Sequence, residues 1–215
     1  MNDYPIKIIP YSAHALLIQW PEQVDERLLQ DILAFKNALQ ESFPDALLTP
    51  CYHSLLLVFR KLIKDIPSII ESVLALYDNR FFEPLKPQIF EVVVNYQSEI
   101  AMDIEDICVD LGMNIKTFIE WHTSALYTVY GLGFLPGFMY LGGLPEAIHY
   151  PRHKSPRLRV PAGAVGIGGR QTGIYPMEAP GGWQLIGHSD FQVIDRNASF
   201  TFKVKVGDKI KFVPQ

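Results

Sequence analysis

Short apolar strands alternate with two amphipathic helices in the first half of the chain. Apolar side chains recur every three or four residues over Asp25–Phe43 and again over Asp65–Tyr77, which predicts a helix with one buried face in each segment. Short apolar runs predict four strands: Ile6–Pro10, Ala15–Trp20, Ala46–Thr49 and Ser54–Arg60. The order β-β-α-β-β-α predicts a small α+β sandwich, with two helices packed on a mostly antiparallel sheet.

Glycine gives the second half a different pattern. The first 111 residues contain no glycine, whereas 13 of the 15 glycines lie between Gly131 and Gly187. From Tyr127 onward, apolar pieces are broken by Gly or Pro every few residues and no long crossover helix remains, which favours a β-barrel. We therefore predict two domains, residues 1–84 and 85–215, with a linker at the proline-containing segment Arg80–Gln88.

A strand and two short helices are predicted to precede the barrel pattern. The strand is Ile89–Asn95. Asp103 is predicted to cap the first helix, with Asp106 as an acid in its first turn and Gly112 as its stop. The second helix is predicted over Asn114–His122.

Composition and charge exclude several functional classes. A hydrophobic content of 48% with 20% charged residues is typical of a soluble globular protein. The net charge of −4 gives no basic patch for nucleic acid, and the longest apolar runs have the length of strands, so neither nucleic acid nor a membrane is an expected partner. The N-terminus lacks the pattern of a signal peptide, which predicts a cytoplasmic protein.

Familiar catalytic and cofactor motifs are absent from the sequence. There is no G-x-x-x-x-G-K-[ST] loop, no H-E-x-x-H helix and no G-x-S-x-G elbow. The six histidines are scattered, so no metal site is predicted.

Arginines held between prolines form the first candidate binding segment, "YPRHKSPRLRVPAG". Proline restricts the loop, so a guanidinium there can bind a carboxylate or phosphate through two hydrogen bonds. Arg157, between Pro156 and the predicted strand at Val160, is the preferred candidate. The alternative is that these arginines are solvated charges or members of ion pairs.

The second candidate segment is "GGRQTGIYPMEAPGGW". Small neighbours allow backbone N–H groups to approach a ligand, although the same residues also suit an internal turn. Its aromatic residues could line a pocket or belong to the core. The predicted substrate-binding residues in this segment are Gln171, Thr172, Tyr175, Gly181 and Gly182.

Two further side chains are candidates for catalysis. His122, at the end of the second short helix, could be a general base or an anion binder, or a cation that interacts with the helix dipole. Glu178 could be a general base, or simply an exposed carboxylate in a turn.

Three stretches together resemble the allophanate hydrolase subunit 1 family. They are "YTVYGLGFLPGFMYLGGLP", "PRHKSPRLRVPAGAVGIGGRQTGIYP" and "APGGWQLIGH". This family includes the B subunit of the bacterial 5-oxoprolinase complex and Kip-type inhibitors of a sporulation histidine kinase. The resemblance implies a cyclophilin-like barrel in the C-terminal domain, behind an α+β N-terminal domain.

The resemblance also implies a function and partners. It implies a cytoplasmic hetero-oligomer with a related barrel protein, the C subunit, and with an A subunit. Together they would form a hydrolase that converts 5-oxoproline to glutamate with ATP. ATP would then be bound by this chain or together with its partner, and Arg157, Gln171 and backbone amides would hold an oxyanion or phosphate. The alternatives are a Kip-type kinase inhibitor and a component of a urea or allophanate amidohydrolase.

This sequence departs from the family pattern at several positions. Ala164 and Ala179 stand where the family usually has serine. The stretch "YQSEIAMD" replaces a glycine-rich one and keeps only Tyr96, Glu99 and Asp103. The loss of glycine predicts a different backbone there, because a positive φ is unfavourable for other residues.

Overall fold

The computed structural model describes residues 4–79, 86–195 and 201–215. The chain divides into two compact units, Met1–Lys86 and Pro87–Gln215. The predicted domain boundary between residues 84 and 85 lies outside the described residues, as do residues 80–85 of the predicted linker. Among the helices that are described, none is both long enough and apolar enough to cross a membrane.

The first unit has the predicted order β-β-α-β-β-α, which confirms its α+β class. Its elements are β1 (Lys7–Ser12), β2 (Ala15–Gln19), α1 (Glu26–Ser42), β3 (Leu47–Cys51), β4 (Ser54–Val58) and α2 (Ile66–Asp78). The strands form one antiparallel sheet in the order β1-β2-β4-β3. Both edge strands contain a proline, Pro10 and Pro50, and this discourages pairing with further strands.

A buried carboxylate connects the sheet of this unit to both helices. Asp31 of α1 is 3% exposed. Its Oδ2 accepts a hydrogen bond from Trp20 Nε1 at 2.8 Å and another from the Tyr77 hydroxyl at 2.7 Å. Since Trp20 follows β2 and Tyr77 lies in α2, one side chain fixes the positions of three elements.

The second unit is built mostly from strands, with two short helices and a 3-10 turn at Glu146–Ile148. Its elements are β5 (Ile89–Val94), α3 (Ile104–Leu111), α4 (Ile115–Ser124), β6 (Tyr127–Leu132), β7 (Met139–Gly142), β8 (Arg157–Val160), β9 (Ala164–Gly168), β10 (Gln171–Ile174), β11 (Ala179–Gly181), β12 (Gln184–His188), β13 (Ile194–Asp195), β14 (Thr201–Phe202) and β15 (Lys209–Pro214). Gly112 ends α3 in the left-handed conformation (φ 66°), as predicted.

Seven of these strands form a nearly closed barrel, in the order β12-β9-β10-β7-β6-β15-β5. Only the β15–β5 pair is parallel within this sheet. Asn95, which follows β5, and His188, at the end of β12, exchange backbone hydrogen bonds of 2.8 and 3.0 Å. This pair joins the two ends of the sheet and confirms the predicted barrel.

The glycines are concentrated where aromatic rings pack against the barrel strands. On β9, Val165 and Ile167 belong to the main core of this unit, whereas Gly168 lies under the Trp183 ring. A Cβ on Gly168 would lie 2.7 Å from that ring, and one on Gly173 would lie 2.6 Å from the Met139 carbonyl oxygen. Glycine is therefore required at these positions for packing.

Gly173→Ala should destabilise the protein, because the added methyl group collides with backbone that cannot move aside. Overpacking of this kind typically costs about 1–3 kcal/mol. Gly133→Ala is the matched control: no atom lies within 4 Å of its added Cβ, so its effect should stay within about 0.5 kcal/mol. Urea denaturation of both variants measures the difference, and equal stability would contradict the packing account.

Candidate functional site

The candidate site is built around the carboxylate of Asp103. Its Oδ1 accepts a hydrogen bond from Arg157 Nη2 at 2.5 Å, and its Oδ2 accepts one from the Leu185 N–H at 2.6 Å. The Asp103 N–H donates in turn to the Leu185 carbonyl at 3.0 Å. Asp103 is the N-cap residue of α3, as predicted, but its side chain makes no capping hydrogen bond to the helix.

Arg157 reaches this carboxylate from the two-stranded ribbon of β8 and β11. Arg157 lies opposite Gly181 in this ribbon, and its Nη1 donates to the Trp183 carbonyl at 3.5 Å. The guanidinium predicted to hold a ligand carboxylate or phosphate is thus paired within the protein, with a quarter of its side chain exposed. The ion-pair alternative is the one that the structure supports.

An acidic cleft of about 400 Å³ opens beside this ion pair. It is lined by Asp103, Asp106, Ile107, Val109, Asp110, Tyr150, His153 and Gln184. The three aspartates follow each other at intervals of three and four residues, which puts them on one face of α3. The Tyr150 hydroxyl donates to Asp110 Oδ2, and this hydrogen bond is the main cause that raises the pKa of Tyr150.

The chemistry of the cleft is that of a hydrogen-bond acceptor. Its carboxylates attract N–H donors and cations and repel phosphate. His153 Nε2 is shielded from solvent and lies 3.4 Å from Asp103 Oδ2 without forming a hydrogen bond. Across the described ranges, no group of three or more His, Cys, Asp or Glu side chains could hold a metal ion.

His122 lies in the core of the barrel and not in this cleft. Its Nε2 is 3.1 Å from Thr172 Oγ1, and its Nδ1 is 2.7 Å from the Tyr96 hydroxyl. Because the Thr172 hydroxyl donates to the Gly166 carbonyl, its oxygen accepts from Nε2–H and leaves Nδ1 to accept from Tyr96. A single neutral tautomer therefore satisfies the whole chain of hydrogen bonds.

Burial keeps this imidazole neutral. The ring has no exposed surface and stacks on Phe212, with 4.6 Å between the ring centroids. Burial lowers the pKa of His122 to about 3 and raises that of Tyr96, so that the phenol remains a donor. The expectation of a base, anion binder or helix-end cation at His122 is corrected: both ring nitrogens are engaged in a buried structural network.

The remaining predicted residues are dispersed over the barrel. Thr172 belongs to the His122 network, and Tyr175 is buried in an aromatic cluster with Phe138 and Trp183. Glu178 is exposed and only loosely paired, with its Oε1 3.8 Å from Arg159 Nε, so the exposed-turn alternative describes it.

The glycine-rich segment does not form an open binding loop. Gln171 begins β10 and pairs with Gly168 across a hairpin, in which Gly169 adopts a positive φ of 70°. The Gly169 N–H donates to the Tyr150 carbonyl at 2.8 Å, so it is not free for a ligand. Gly181 lies against the Tyr175 hydroxyl, where a Cβ would collide, and the Gly182 carbonyl accepts from the His153 N–H at 2.7 Å.

Sequence reasoning misses most of the cleft. It predicts only a helix-dipole role for Asp106 and none for Asp110, although their spacing from Asp103 marks one helix face. No local signal identifies Tyr150 or His153. They come to the cleft from an irregular segment after β7, and only the fold of the barrel places that segment beside α3.

The sequence profile of the carboxyltransferase domain family, subdomain C and D, matches residues 6–202. The chain belongs to this family. Among curated proteins, the B subunit of 5-oxoprolinase from Haemophilus influenzae is 35% identical over 208 residues, which cover 97% of each chain. The resemblance found in the motifs is thus confirmed over nearly the whole sequence.

Two solved structures share the fold of this chain. The crystal structure of TTHA0988 superposes with a TM-score of 0.79 at 33% identity over 94% of this chain, which spans only 40% of that longer chain. The urea amidolyase of Kluyveromyces lactis matches 98% of this chain with a TM-score of 0.78, and this chain spans 16% of it. At 18% identity, the second likeness shows the fold alone.

Arg157→Ala should destabilise the protein, because it leaves the buried Asp103 carboxylate without its counter-charge. We expect a loss of about 2–3 kcal/mol, at the low end for a buried pair since Arg157 is a quarter exposed. Chemical denaturation of Arg157→Ala, Asp103→Ala and the double variant measures the coupling, and the double variant should lose less than the sum of the single ones. Arg159→Ala, at an exposed arginine, is the control, and a strictly additive cycle would rule out the pair.

Stability should fall as the pH drops from 6.5 towards 3, in part because of His122. Its pKa is lowered in the folded state, so the unfolded chain binds more protons between pH 6.5 and 3. The contribution of a neutral His122 to the free energy of unfolding is therefore fully present only above pH 6.5 and is lost as the pH falls. The contribution is roughly 1 kcal/mol per pH unit. His122→Gln should show a shallower slope in urea denaturation between pH 6.5 and 4, and a slope equal to that of the wild type would contradict the assignment.

Proposed function

We propose that this chain is the B subunit of a 5-oxoprolinase complex. The observation that carries the proposal is its full-length likeness to a protein of that name, at 35% identity over 97% of both chains. The two units of the chain are both included in that match. The complex would be a cytoplasmic hetero-oligomer with a related barrel protein, the C subunit, and with an A subunit.

The reaction proposed for the complex is 5-oxoproline + ATP + 2 H₂O → glutamate + ADP + phosphate. One water supplies oxygen to the lactam carbonyl carbon as the ring C–N bond breaks, and the second hydrolyses the phosphoric anhydride. The lactam N–H is a donor, which the carboxylates of Asp106 and Asp110 in the acidic cleft are suited to accept. The substrate also carries a carboxylate, and its counter-charge would come from a partner protein.

ATP does not fit the residues of this cleft. Its triphosphate is strongly anionic, whereas Asp103, Asp106 and Asp110 line the cleft, and the guanidinium of Arg157 is already paired with Asp103. The backbone N–H of Gly169 in the glycine-rich hairpin is engaged as well. We therefore assign the phosphates of ATP to a partner protein and the amide end of the substrate to this chain.

The test combines this chain with the purified A and C subunits and measures glutamate release from 5-oxoproline. Release should require ATP and all three proteins. Asp106→Asn with Asp110→Asn should lower the rate at least tenfold while the complex still assembles. Glu105→Gln is the matched control, since Glu105 lies on the same helix but does not line the cleft.

Two outcomes would overturn these assignments. If the three proteins form no complex or release no glutamate, the 5-oxoprolinase proposal is wrong. If the aspartate variant retains full rate, the complex can stand but the cleft is not its substrate site. The Kip-type inhibitor and the urea or allophanate amidohydrolase stay hypotheses, tested by histidine kinase autophosphorylation and by ammonia release from allophanate.

A further inference from the structure

The N-terminal unit carries a second recess, an open groove of about 650 Å³. It lies where the end of α1, the loop after β4 and the start of α2 meet. Four partly buried apolar side chains contribute to its lining: Phe43, Phe59, Ile63 and Ile69. Phe43 and Phe59 pack edge to face with 5.5 Å between their centroids, so the floor of the groove is continuous with the core of this unit.

One connecting segment adds three positive charges to the groove. Arg60, Lys61 and Lys64 line it and are exposed, and none of them forms an ion pair with another described residue. Two acids, Asp45 and Asp65, also line the groove. Asp65 accepts a hydrogen bond from the Ser68 N–H as the cap of α2. The groove is therefore apolar at its floor and positively charged along one edge.

An exposed leucine stands among these cations. Leu62 is 58% exposed, follows Lys61 directly and lines the same groove. A polar residue would be equally compatible with an exposed loop position between charged neighbours. An apolar side chain beside cations that pair with no other described residue makes this edge complementary to a partner that is both apolar and anionic.

We propose that this groove docks a polypeptide segment of a partner protein that presents a large apolar side chain next to Asp or Glu. The apolar side chain would pack on Phe43 and Phe59, and Leu62 would cover it from the edge. Its carboxylates would pair with Lys61 and Lys64, with Asp45 and the helix-capping Asp65 as the competing acids among the described residues of the lining. The volume lies within the range of about 300–1,000 Å³ that is typical of small-molecule pockets, which is large enough for one apolar side chain.

This docking surface is separate from the acidic cleft and does not depend on the proposed activity. The groove is formed by residues of the N-terminal unit alone, whereas the cleft lies in the second unit. The two also have opposite charge. A partner that binds the groove therefore has an acidic surface, whatever occupies the cleft.

The test uses the ¹⁵N-labelled full chain and an N-acetylated peptide of sequence Glu-Leu-Phe-Glu-Glu as the probe. The amide signals of Phe43, Phe59 and Ile63 should shift on titration. An analogue with lysine in place of each glutamate, and one with serine in place of leucine and phenylalanine, should each bind at least tenfold more weakly. No shift at these amides, or equal binding of the lysine analogue, would refute the proposal.

Charge reversal tests the cations of the groove directly. Lys61→Glu with Lys64→Glu should weaken peptide binding at least tenfold without lowering the melting temperature, because both side chains are exposed. Lys7→Glu with Arg27→Glu changes the net charge equally at exposed positions outside the groove and should leave binding unchanged. If both double variants bind alike, or if decanoate competes as strongly as the peptide, a peptide-docking role is excluded.

Discussion

The buried carboxylate of Asp103 is the constraint on which the candidate site depends. An ionised group at 6% exposure is tolerated only if charge and hydrogen bonds replace its lost water. Arg157 supplies the charge and the Leu185 N–H supplies a hydrogen bond, so the start of α3, the β8–β11 ribbon and β12 are fixed together. That linkage holds α3 with its aspartates facing the cleft, and it also removes Arg157 from the set of free cations.

The same rule governs the interior of the barrel, with a neutral group in place of an ion. His122 would be strongly unfavourable there as a cation, and its two nitrogens are satisfied by Tyr96 and Thr172. A polar network that is fully satisfied specifies one arrangement of the elements it joins. His122, which looks catalytic in the sequence, is thus used to assemble the barrel, and the aspartates of α3 line the cleft that is open to solvent.

Patterns with a local cause could be predicted from the sequence, and those with a distant cause could not. The apolar period of α1 and α2 and the interruption of strands by glycine are local, so the α+β order and the barrel were predictable. The reason for Gly168 is not local. The Trp183 ring fills the space where a side chain at position 168 would lie, and this tryptophan is fifteen residues further along the chain. Glycine that makes room for a ligand and glycine that makes room for tryptophan look alike until the strands are paired.

The divergent stretch from Tyr96 to Asp103 shows how much sequence change the contacts around the cleft and the barrel core permit. Its two ends make the contacts described above, Tyr96 with His122 and Asp103 with Arg157, and no residue between them has a positive φ. Glu99 is exposed, and nothing in the structure explains its retention. Glycines can therefore be lost from the middle of the stretch while both anchors remain, because the anchors act through side chains and not through an unusual backbone. Divergence in this stretch therefore leaves the contacts of Tyr96 and Asp103 intact.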